Sequence, residues 1–174
     1  MKKTTVGTTT ICLVEIESAA AESGRTSRRE REKAAVRLAA ENLGVEIGHA
    51  PDGAPTCEGY SISVTHSQDL AAVAIDPARR IGIDAETWRE ALRRTRPKYL
   101  SEREIGIYAD ESSMLWAWTV KEAVYKSAPA PKPFMSEIEC DKEASTATAH
   151  GHSYTAESWM EGNDRLTLVY PTGK

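Results

Sequence analysis

Ile81-Gly82-Ile83-Asp84-Ala85-Glu86 and, downstream, Trp118-Thr119-Val120-Lys121-Glu122-Ala123-Val124-Tyr125-Lys126 are the segments from which this chain reads best. The first has the form of a short, β-branched strand that ends in acids. Residues two apart on a strand point to the same side, so Asp84 and Glu86 present two carboxylates to one spot. The second has the form of a helix, on which Glu122 and Lys126, four apart, share a face. If that helix docks against the strand end, three carboxylates and an ammonium converge. Such a hard, oxygen-lined site suits Mg²⁺ holding a phosphate, with a cation beside it. Gly82 agrees, because glycine inside a strand often marks the close approach of another backbone. Each piece also has a plainer reading. Two acids at a strand end are commonly just solvated, Glu122 beside Lys121 is ordinary helix-surface chemistry, and Trp116 and Trp118 suit a core.

Outward from these segments, the N-terminal part opens with an apolar strand over Ile11 to Ile16, followed by a small, polar loop over Ser18 to Gly24. Ser27-Arg28-Arg29-Glu30 has the form of a capping box. The helix it opens carries Ala34, Ala35, Leu38, Ala39 and Leu43 at helical spacing and stops at Gly44. Pro51 to Pro55 is turn chemistry. Ser61 to Thr65 and Leu70 to Asp76 read as strands, with His66 to Asp69 between them. Beyond the Asp84–Glu86 strand, Ser101-Glu102-Arg103-Glu104 forms a second capping box. The Trp-rich helix starts near Ser113 and is ended by Pro129, Pro131 and Pro133. Further strands are expected around Ser136 to Cys140, Ala144 to Ala149, Tyr154 to Trp159 and Leu166 to Tyr170. The order strand, helix, strands and then strand, helices, strands predicts an α+β fold of two halves, residues 1–78 and 79–174, the second carrying the carboxylates.

With 174 residues, 40% apolar, one compact unit or two small fused ones are expected. The net charge of −4 argues against nucleic acid as a partner. Cys12, Cys57 and Cys140 are odd in number and form no CxxC pair, which fits a reduced, cytoplasmic setting. No signal peptide and no membrane-spanning run is expected.

Two further groups invite a ligand. His66 lies among Ser63, Thr65 and Ser67, and a histidine flanked by hydroxyls can donate to a phosphate, though it more often satisfies local backbone. Arg25, Arg28, Arg29 and Arg31 crowd a helix N-terminus, where cations oppose the macrodipole and an anion held there would relieve the conflict. Arg89, Arg93, Arg94, Arg96 and Lys98 form a basic stretch directly after the acidic strand.

Together these segments resemble the 4′-phosphopantetheinyl transferase superfamily. The resemblance is carried by Gly82-Ile83-Asp84-Ala85-Glu86 and by Trp118, Lys121, Glu122, Ala123 and Lys126. Tyr99-Leu100-Ser101-Glu102-Arg103-Glu104 is similar to the family's aromatic-Leu-Ser-x-x-Glu stretch. Ile62 to Ser67 is similar to its Ser-x-Ser-His-Ser segment, and Asp52 to Pro55 to its Gly-Lys-Pro turn. It runs from about Arg25 to Lys126, with Ala54 in place of the usual Lys and Thr65 in place of the usual Ser. The chain is shorter than the two-lobed members and longer than the small trimeric ones.

The resemblance implies a shortened, monomeric pseudo-dimer of two similar α+β halves, each with an antiparallel sheet packed on a helix, and an active site between them. It implies transfer of the phosphopantetheine arm of coenzyme A to a serine of an apo acyl or peptidyl carrier protein, leaving 3′,5′-ADP. Asp84, Glu86 and Glu122 would hold Mg²⁺; Lys126, with Lys121 as a second candidate, would offset charge on the pyrophosphate. His66 would meet a phosphate of coenzyme A, and Arg25 or Arg28 the 3′-phosphate. Glu122 or a metal-held water would take the serine proton, and the residues leave both open. An acidic helix of the carrier would dock near Arg89, Arg93 and Arg94. The competing readings are a non-catalytic relative that binds coenzyme A or a carrier, and a plain interaction module.

Overall fold

The computed structural model describes residues 1–23 and 27–173, the side chains of 20–23 excepted. The chain divides into two compact units, Met1–Ile81 and Gly82–Lys174, with the break just past the expected 78/79 boundary. Both are α+β, and all strand pairings among the described residues are antiparallel. No helix among those residues is long and apolar enough to cross a membrane.

In the first unit, β1 (Lys2–Val6) and β2 (Thr9–Glu15) form a hairpin, and Gly7 in the turn has φ 59°. Sequence reasoning passed over β1, whose Lys and Thr residues carry no apolar stripe. α1 (Ile16–Ser23) follows at once. This corrects the expected loop from Ser18 as far as Ser23; Gly24 lies outside the described residues. Ile16 and Ala19, three apart, are both buried, the Ala run favours helix over coil, and Glu17 sits well in a first turn. α2 (Arg28–Leu43) begins at the capping box, with the Glu30 amide donating to Ser27 Oγ at 3.3 Å, and ends at Gly44 in the left-handed region, φ 72°. After the small pair β3 (Gly48–His49) and β4 (Pro55–Thr56) come β5 (Ser61–His66) and β6 (Leu70–Asp76). The sheet order is β1-β2-β6-β5. Ala35 and Ala39 of α2 pack with Cys12, Val14, Ala71 and Val73.

Asp76 closes β6. Its carboxylate is fully buried and accepts the amides of Ala78 at 2.9 Å and Arg79 at 2.7 Å, and the hydroxyls of Thr8 at 2.7 Å and Thr9 at 2.8 Å. Burial alone would push this carboxyl up, but the donors outweigh it and the pKa lies well below the usual carboxylate range.

The second unit opens with β7 (Gly82–Thr87). α3 (Glu90–Thr95), a 3₁₀ turn (Arg96–Lys98) and α4 (Glu102–Ile107) lead to α5 (Glu111–Ser127). α4 starts at the second capping box, as its sequence predicts. A 3₁₀ turn (Met135–Glu137) precedes β8 (Glu139–Asp141), so the strand expected from Ser136 begins later. β9 (Thr146–Ala149), β10 (His152–Glu161) and β11 (Asp164–Pro171) complete a sheet of order β7-β11-β10-β9-β8. α5 lies on β7 and β11 and buries Met114, Ala117, Val120, Ala123 and Val124 in the core.

The two units repeat one connectivity. In the first, β2 leads to α2 and then to the hairpin β5-β6, whose second strand returns beside β2. In the second, β7 leads to α5 and eventually to the hairpin β10-β11, whose second strand returns beside β7.

Candidate metal and phosphate centre

Gly82 sets the geometry of the second unit's site. A Cβ on Gly82 would lie 2.0 Å from the Ala123 carbonyl oxygen and 3.1 Å from the Ser127 nitrogen, so the helix backbone rests directly on the strand. Gly82, Asp84 and Glu86 share the face of β7 that α5 covers. β7 is an edge strand of its sheet, paired with β11 alone. Glu122, next to Ala123, therefore comes down beside the two strand carboxylates.

The cations of the site are already engaged. Lys126 Nζ donates to Asp84 Oδ1 at 2.7 Å and to the Ile83 carbonyl at 2.9 Å. Arg89 donates to Glu86 Oε2 at 2.7 Å. The carboxylates sense one another. Burial, then the charge of Asp84, pushes Glu122 above its ordinary range, with Lys126 opposing and Glu86 adding. Burial also pushes Glu86 up, against Arg89 and the Thr87 amide, and Asp84 adds to the rise. Among the described residues no three His, Cys, Asp or Glu side chains are drawn together as a ready cation cage, since Asp84 leans on Lys126 and Glu86 on Arg89. The donor chemistry nonetheless fits Mg²⁺. All the donors are hard oxygens, and a divalent ion would offset both the burial and the mutual repulsion that raise Glu86 and Glu122.

Lys121 requires a correction. It does not join the carboxylates. Its side chain is wholly buried, and Nζ donates to Glu104 Oε2 at 2.7 Å, to the Met135 carbonyl at 3.1 Å and to the Ile138 carbonyl. One step along a helix turns a side chain by about 100°, which separates Lys121 from Glu122, whereas Lys126 at four residues returns to its face. Trp118 and Trp116 take the plainer role, packing on Tyr99 at 5.0 Å and on Tyr108 at 5.7 Å between ring centroids.

The first unit gathers the phosphate candidates separately. His66 ends β5, and its Nδ1 lies 3.8 Å from Glu32 Oε1. Arg28 Nε reaches the same oxygen at 2.8 Å. All three line a cavity of about 1190 Å³ that also takes in Arg29, Lys33 and the apolar side chain of Val36. Glu32 and Lys33 had not been singled out from the sequence; their signal is the repeat at three and four residues that puts them on the flank of Arg28 and Arg29. Arg31 turns to Glu17 of α1 instead. Arg25 lies outside the described residues.

The basic stretch is partly neutralised by its own unit. Arg89 is held by Glu86, and Arg93 by Glu111 at 3.1 Å and Glu90 at 3.5 Å while it lies over Trp88. Arg94 and Lys98 are exposed and enter no ion pair among the described residues, and Arg96 is half-buried.

The chain matches no family model and no curated protein.

Proposed function

We propose that this chain transfers the 4′-phosphopantetheine arm of coenzyme A to a serine of an apo carrier protein, releasing 3′,5′-ADP. The observation that carries the reading is that Asp84 and Glu86 share the face of β7 that α5 covers, near enough to Glu122 to act on its charge, with Lys126 at 2.7 Å from Asp84. It is supported by the first unit's cavity, where Arg28, Arg29 and Lys33 stand beside an apolar wall, a pairing of cations and apolar surface suited to a phosphorylated nucleotide. The repeated connectivity supports two similar halves.

In this reading Asp84, Glu86 and Glu122 hold Mg²⁺, which, when bound, neutralises charge on the pyrophosphate. Lys126 adds a positive charge beside the leaving phosphate, and His66 and Arg28 orient phosphates of coenzyme A. The serine oxygen bonds to the phosphorus that bears the pantetheine arm. The bond from that phosphorus to the bridging oxygen breaks, and 3′,5′-ADP leaves with the electron pair. The serine proton needs an acceptor, which Glu122 or a water held by the metal would supply. Such chemistry is mostly positioning and charge neutralisation.

The test is intact-mass analysis of apo carrier proteins of fatty-acid, polyketide and peptide-synthetase type, each incubated with the chain, coenzyme A and Mg²⁺. A gain of one phosphopantetheine arm is expected. Binding of coenzyme A by calorimetry, with no mass gain on any carrier, would assign a non-catalytic binder instead.

A further inference from the structure

We propose that Lys121 is a positioning residue: with Glu104 it forms a buried clamp that holds α5 in register on β7, so that Glu122 and Lys126 face Asp84. This rests on reading Asp84, Glu86 and Glu122 as one metal-binding set. A lysine ammonium has three donors and no acceptor. Here all three find acceptors inside the protein, in the Glu104 carboxylate and the carbonyls of Met135 and Ile138, and the side chain has no exposed surface. No donor remains for a substrate.

Glu104 is committed just as fully. The Oε2 atom that receives Lys121 also accepts the Ser101 amide at 2.9 Å and closes the capping box of α4, while Oε1 accepts the Cys140 amide at 3.0 Å. One ion pair thus ties together the start of α4, the middle of α5, the 3₁₀ turn at Met135–Glu137 and the start of β8. Gly82 leaves α5 no slack on its strand side. The helix is gripped at Lys121 and seated at Ala123, and Glu122 lies between those two fixed points. A buried pair that loses one partner leaves an uncompensated charge, whereas a neutral pair of similar shape is tolerated.

The experiment compares the native chain with Lys121→Met and with the double variant Lys121→Met, Glu104→Gln. Glu104→Gln removes the charge and keeps one oxygen acceptor, for the Ser101 amide, while the Cys140 amide loses its side-chain partner, so the double variant should recover part of the native behaviour. The readouts are amide hydrogen exchange along α5, Mg²⁺ affinity by calorimetry with coenzyme A present, and transfer rate. In Lys121→Met, α5 amides should exchange faster and Mg²⁺ affinity should fall, by no more than the about 10–100-fold that loss of a group bonded directly to a ligand costs. In the double variant exchange, affinity and transfer should all return towards native.

Native exchange and native affinity in Lys121→Met would overturn the clamp. So would a double variant that regains both while transfer stays at the single variant's level, because the ammonium would then act in the reaction itself. A double variant that does not fold also overturns it. If the native chain binds no Mg²⁺, the proposed function fails on its own, and the exchange arm still decides whether the pair holds α5.

Discussion

Lys126 donates to Asp84 and to the Ile83 carbonyl together, which keeps one ammonium standing against the carboxylates. Under the proposed function its charge matters most as the pyrophosphate bond breaks. Lys126→Ala should therefore lower kcat more than it weakens coenzyme A binding, which steady-state kinetics and calorimetry separate. Asp84→Ala and Glu122→Gln should abolish transfer in a folded protein, and chelation by EDTA should do the same to the native chain until Mg²⁺ is restored. Full turnover in EDTA, or in either variant, would sink the metal assignment. Glu122 adds a sign that can be checked. Its carboxyl is raised by burial and by Asp84, so folding favours the neutral form. Its contribution to stability is full below the unfolded pKa and fades as pH rises through the folded one. Once ionised, the side chain is a liability to the fold, and Glu122→Gln should melt no lower than the native chain.

Among the elements, the contact of β7 with α5 is the least forgiving. Gly82→Ala puts a methyl group into the Ala123 carbonyl, so helix or strand must shift. Overpacking of this kind costs about 1–3 kcal/mol; a melting curve should show the loss, and transfer should fall further than stability alone explains. In the first unit, Asp76 fastens the turn after β6 to the β1–β2 hairpin through Thr8 and Thr9. Its folded pKa is depressed, so its contribution is full above the unfolded value of about 3.9 and is lost as pH falls towards the folded one. Asp76→Asn should flatten the dependence of stability on pH below about 4, as urea titrations across that range would show; an unchanged slope would remove Asp76 from the acid response. What could be read in advance follows the same division. The helices after Ser27 and Ser101 were legible because a capping box is closed within four residues. Lys126 was legible for the same reason, four residues from Glu122. α1 was not, since Ile16 and Ala19 become a helix face only when the rest of the first unit buries them. Lys121 was not, since Glu104 and the carbonyls of Met135 and Ile138 are brought to it by the fold.

On the scale of the whole molecule the net charge is −4, so the basic stretch of α3 and its following turn is a local reversal of sign. Arg89 and Arg93 are already held by acids of their own unit, so under the proposed function Arg94 and Lys98, exposed and outside any ion pair among the described residues, are the charges that would meet an acidic carrier helix. Rim charges act chiefly on encounter and are screened over about 8 Å at physiological ionic strength. Arg94→Glu with Lys98→Glu should raise the KM for the carrier several-fold and leave that for coenzyme A nearly unchanged. A carrier KM indifferent to both the reversal and added salt would place docking elsewhere.

α5 buries eleven of its seventeen residues, and among the rest Glu122 and Lys126 belong to the candidate site. Such a helix has little face on which to vary: beyond exposed Glu111, Ser112 and Tyr125, a swap reaches the packed core or the charges beside β7. A protein that meets several partners would have to be retuned through α3, α4 and the turn between them, where Arg94, Lys98, Arg103 and Ile107 are exposed and a new side chain disturbs little else. Under the proposed function, the chemistry and the choice of partner would thus be written on different stretches of the chain, and diversification of the second could proceed while the first stands still.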